Sequence, residues 1–133
     1  MRYSADEISL ASELKTLGLP WEPEAGQFVF DKNKICPQSS PFQPGVYFLL
    51  NFDCFMQRVG GVERFVDNMV WLPTWHEARS ILLNLGVSLE RTVAQVMPAL
   101  EDERELLCLY NLIYEALLGR LGSGEAGEAP WPR

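Results

Sequence analysis

The stretch Val70-Trp71-Leu72-Pro73-Thr74-Trp75-His76-Glu77 constrains this chain more than any other. An apolar run meets Pro73, which biases Leu72 away from helical ψ. Thr74 and Glu77 then have the spacing of a capping box, in which each side chain satisfies a backbone N–H of the other's turn. The expectation is an extended segment over Met69 to Leu72 that turns into a helix at Thr74. Two tryptophans and the only histidine crowd this junction. It reads first as a well-built element boundary and second as the rim of a functional cleft.

The same signals punctuate the rest of the chain. Ser4 and Glu7 repeat the capping-box spacing, and Ile8, Leu10, Ala11, Leu14 and Leu17 supply a helical stripe that Gly18 and Pro20 close. Gln27 to Phe30 favours a strand, with Ile35-Cys36 as a return strand after a turn. Three prolines (Pro37, Pro41, Pro44) preclude regular structure in the next segment. Val46 to Leu50, apolar on both faces, is expected to be a central strand covered by helices. Asn51 caps a short helix that ends at Gly60-Gly61. Phe65 to Leu72 fits a helix or a strand, and periodicity alone does not separate the two. Thr74 to Leu85 and Ser88 to Met97 are helices. Pro98 is expected to break or kink the run before a long helix over Ala99 to Leu121.

These elements define an α+β chain, mostly helical, with a small two- or three-stranded antiparallel sheet packed against the N- and C-terminal helices. A length of 133 residues suits one globular domain over 1–121, with a Gly/Glu/Pro-rich flexible tail over 122–133. The Trp71-Leu72-Pro73-Thr74 junction resembles that of small bacterial proteins, a likeness that implies no activity.

Charge narrows the function. Eighteen acids against eleven Lys and Arg leave a net charge of −7. Phosphate backbones and anionic leaflets repel such a surface, so nucleic-acid and membrane partners are disfavoured. Cys36, Cys54 and Cys108 are odd in number and widely spaced, the pattern of reduced thiols rather than a disulfide framework. The first seven residues hold no apolar signal core, and no apolar run approaches the ~20 residues of a membrane span. The expected setting is the cytoplasm.

No residue set has the spacing of a catalytic or metal centre, so no cofactor and no metal are expected. Cys54 with His76 is the only nucleophile–base pair on offer, and each lies in a first helical turn. The aromatic middle region supplies the candidate ligand or partner surface: Phe42 in a proline-framed loop, Trp71 and Trp75 at the junction, and His76 and Arg79 beside them, with Trp21 as a further member. The last helix is apolar around more of its circumference than one core contact requires. Leu109, Leu112 and Leu118 are therefore candidates for a homodimer face. The leading functional expectation is a non-enzymatic protein-interaction or regulatory module. The alternative is a small-molecule-binding protein or weak hydrolase with a cleft near Trp71, Trp75, His76 and Cys54.

Overall fold

The computed structural model describes residues 2–41 and 43–122. Those residues fall into two compact units, 2–3 with 21–41 and 43–73, and 4–20 with 74–122. The fold class is α+β and mostly helical, with six helices and one three-stranded antiparallel sheet among the described residues.

The first unit holds the sheet. Strand β1 (Phe28–Asp31) is central, flanked by β2 (Val46–Phe48) and β3 (Met69–Leu72), both antiparallel to it. Val29 stands opposite Tyr47 and Trp71, while Phe28 stands opposite Phe48 and Leu72. The alternation of a pleated strand therefore gives the sheet two different faces. Val29, Leu49 and Met69 join Met56 and Val59 of α2 (Phe52–Val59) and Phe65 of α3 (Val62–Asn68) in a buried apolar cluster. On the other face the Phe28 ring meets Phe48 at 4.9 Å and Tyr3 at 5.7 Å between centroids.

Two expectations about this unit need correction. Val46 to Leu50 forms an edge strand rather than a central one, and it stops at Phe48, where the Leu50 N–H turns back onto the Phe48 carbonyl. Leu50 is 81% exposed, so its apolar side chain marks no covering helix. The free edge is blunted locally, because the Val46 N–H donates to the Gln43 carbonyl and the Val46 carbonyl accepts the Ser40 hydroxyl. Ile35 and Cys36 form no strand; their N–H groups donate to the two carboxylate oxygens of the buried Asp31 at 2.9 and 2.8 Å. A side chain thus replaces the ladder that a return strand would have supplied. Phe65 to Leu72 resolves as both alternatives in succession, helix to Asn68 and strand from Met69.

The second unit is helical. It contains α1 (Ala5–Thr16), α4 (Trp75–Asn84), α5 (Leu89–Ala99) and α6 (Glu105–Gly122), and α6 packs against the other three. The capping boxes of Ser4 with Glu7 and Thr74 with Glu77 are formed in full. Pro98 does not break α5. It sits in the last turn, where it removes one intrahelical donor, and a 3-10 turn over Leu100–Asp102 follows. The break falls instead at Glu103, which adopts the left-handed conformation with φ of 54°.

Candidate functional site

Ser88 caps α5 by accepting the Arg91 N–H at 3.2 Å. Thr92 and Val96, four apart, are buried, and Ala99 is half-buried on the same side. Leu89, Val93, Met97 and Leu100 follow each other at helical spacing on a different side. They are 55%, 47%, 59% and 46% exposed. The helix is therefore buried along one edge of its apolar arc and, among the described residues, open along the other. These four side chains form an open apolar row along the helix.

The surroundings of the stripe are acidic. From Ser88 to Glu105 inclusive the chain carries five acids and two arginines. Arg91 reaches towards Glu115 of α6 at 3.5 Å, an exposed pair worth only ~0–1 kcal/mol. Arg104 lies on the α6 side, beside Asp102, Cys108 and Glu115 in a cleft of about 560 Å³. Glu90 and Glu101, both exposed, stand eleven residues apart at the two ends of the stripe.

The residues expected at a site are divided between the two units. Phe42 lies outside the described residues. Trp71 is half-buried in β3 and stacks on Trp21, with the ring planes 9° apart and centroids at 6.5 Å. The indole N–H of Trp21 donates to Gln27 Oε1, whereas that of Trp71 is buried without a hydrogen-bond partner among the described residues. Trp75, His76 and Arg79 are exposed on the first turns of α4, in the other unit. Cys54 is half-buried in the first turn of α2, where its N–H donates to the capping Asn51 side chain. Leu109 and Leu112 are buried in the helical unit, and Leu118 alone of that trio is exposed. The excess apolar surface of α6 is occupied by α1, α4 and α5 of the same chain.

Two thiols, Cys36 and Cys108, are raised above their ordinary values. Burial, reinforced by the Asp31 carboxylate, pushes the Cys36 thiol up to about 12. The Tyr47 phenol beside it is also raised, first by burial and then by Cys36 and Asp31; its hydroxyl donates to the Gln38 carbonyl. Burial and then Glu115 raise the Cys108 thiol, which donates to the Gln95 carbonyl at 3.3 Å. Cys36 and Tyr47 border a second cleft of about 530 Å³, together with Lys32, Lys34 and Ser39. Among the described residues, no group of three or more His, Cys, Asp or Glu is placed to hold a metal ion, and no helix is long and apolar enough to cross a membrane.

The exposed stripe on α5 was missed by sequence reasoning, although its signal is present. Leu89, Val93, Met97 and Leu100 fit i, i+4, i+8, i+11 beside the second set of Thr92, Val96 and Ala99. Which set faces the core is a property of packing, not of spacing. No family model matches the chain, and no curated protein or solved structure matches it either.

Proposed function

We propose that this protein is a non-enzymatic protein-interaction module that docks a partner on the exposed flank of α5 and the 3-10 turn after it. The observation that carries this reading is the row Leu89, Val93, Met97 and Leu100, about half exposed on a capped helix whose adjacent edge is already buried. Leaving four large apolar side chains in water forgoes the ~25 cal/mol per Å² that burial returns, a loss that a docking face recovers on binding. Met97 at the middle of the row adds an unbranched, adaptable contact. All three cysteines are free, in keeping with a reducing, cytoplasmic setting.

The test compares the native protein with a Val93→Glu/Met97→Glu variant as bait in the cytosol of the source cell. A discrete companion protein retained at near-equal stoichiometry by the native chain, and lost with the variant, is the expected result. The same companions with both baits would remove α5 as the docking face.

Small-molecule binding is the second reading, and one observation favours it. The cleft beside Cys36 and Tyr47 has the size of a ligand pocket and mixes aromatic, hydroxyl and ammonium groups. A ligand seated there would raise the melting temperature in a metabolite screen, and a Tyr47→Ala substitution would abolish that rise.

A further inference from the structure

We infer that the partner of the α5 face is a positively charged amphipathic helix of another protein, a step that rests on reading this face as a docking site. Three occupants suit an apolar helical stripe: a lipid surface, a second copy of this chain, or a helix from elsewhere. Charge decides between them. Helices that lie on membranes carry Lys and Arg beside their apolar face, because the leaflets are anionic. Here the stripe is bracketed by Glu90 and Glu101, with Asp102 and Glu103 following, and the nearby Arg91 and Arg104 lie with Glu115 of α6. A leaflet would be repelled.

A second copy fares no better. A two-fold contact uses the same patch twice. Paired antiparallel, as neighbouring helices of a two-fold contact, Glu90 of one copy meets Glu101 of the other. That arrangement opposes like charges at both ends of the stripe. A foreign helix with apolar residues at i, i+4, i+7 and i+11 would fill the stripe over three turns, about 16 Å. Lys or Arg near each end of such a helix, some three turns apart, would meet Glu90 and Glu101.

The probe is a synthetic helical peptide of about 18 residues, with leucine on one face and lysine on the other, and a matched version with glutamate for lysine. Fluorescence anisotropy measures both against the native protein, against Glu90→Gln/Glu101→Gln, against Val93→Glu/Met97→Glu, and against the milder Val93→Thr/Met97→Gln. Circular dichroism checks that each variant is folded. The native protein should bind the Leu/Lys peptide and reject the Leu/Glu one. The glutamine pair should weaken binding several-fold and flatten its salt dependence. Both stripe variants should weaken it by about tenfold or more. That result is discriminating for Val93→Glu/Met97→Glu, because two added acids would strengthen any purely electrostatic attraction.

Equal affinity for the two peptides, lost in both stripe variants, would overturn the charge assignment and leave the docking face standing. Binding unchanged or strengthened by both stripe variants would overturn the docking face as well. A native dimer in sedimentation that the stripe variants dissolve would assign the face to a second copy. No binding of the Leu/Lys peptide at about 100 µM would also sink the inference.

Discussion

Gln43 holds Tyr3 by both of its backbone groups: the Tyr3 N–H donates to Gln43 Oε1 at 2.9 Å, and Gln43 Nε2 donates to the Tyr3 carbonyl at 2.7 Å. A primary amide thus pairs with a peptide group forty residues away, as a neighbouring strand would. The Tyr3 hydroxyl in turn donates to the Leu72 carbonyl at 3.0 Å. With Gln43 only 7% exposed and Tyr3 2%, water cannot replace these bonds.

Gln43→Leu keeps the volume and removes both partners of the Tyr3 backbone. The expected loss is about 2–4 kcal/mol, since each stranded buried group costs ~1–3 kcal/mol. Equilibrium urea unfolding measures it. A loss below half a kcal/mol would show that the clamp contributes little.

Asp31 accepts the N–H groups of Ile35 and Cys36 with separate oxygens. Asn offers one acceptor oxygen and one NH2, so Asp31→Asn orphans one donor and sets an amide N–H against it. A cost of about 2 kcal/mol is expected from the lost charge-assisted bond and the unpaired group. Hydrogen exchange should quicken at Ile35 or Cys36 before it changes in β1.

Four helix ends close with the same pair of backbone bonds, and they differ at one residue. Gly18, Gly60 and Gly86 take the left-handed position after α1, α2 and α4, whereas Glu103 takes it after the 3-10 turn. Glu103→Gly should stabilise the fold by about 0.5–1 kcal/mol, the relief of left-handed strain less the extra unfolded-chain freedom of glycine. The lost charge lies between one helix C-terminus and the next N-terminus, so its dipole effects oppose each other. Gly18→Ala should cost about 1 kcal/mol through backbone conformation alone, because a Cβ there meets nothing within 4 Å. Thermal unfolding of the two variants should move in opposite directions.

Alkaline stability follows from Cys36. Its thiol titrates from 9.0 when free to about 12 in the folded chain, so between those values the unfolded state has lost a proton that the native state keeps. Stability from this group is complete below pH 9 and falls as pH rises towards 12. The raised Tyr47 and Cys108 groups act in the same direction. Urea midpoints should decline from pH 8 to pH 10.5, and Cys36→Ala should flatten part of that decline. An identical slope in the variant would show that Cys36 does not govern it.

The legible features share a short range. Ser4 with Glu7, Thr74 with Glu77 and Asn51 with Cys54 are contacts across three residues, and the glycine stops act within one turn. Pro73 and the β-favoured run before it marked Met69 to Leu72 as extended, although the start of that strand at Met69 stayed open. At the candidate site the spacing of Leu89, Val93, Met97 and Leu100 was visible while its meaning was not. Leu109 and Leu112 carried an equally apolar signal and are buried.

Local bonding within a few residues is written in the order of the side chains, and from it the helices, their caps and the mostly helical α+β class could be read. Long-range partners are not. That β1 is central and β2 an edge, that Gln27, Asp31 and Gln43 each tie down a distant or irregular segment, and that α6 is wrapped by helices of its own chain were decided only when the backbone closed on itself. An apolar face or a buried amide has no address in sequence; its partner is chosen by which surfaces meet, and burial then makes that choice costly to undo.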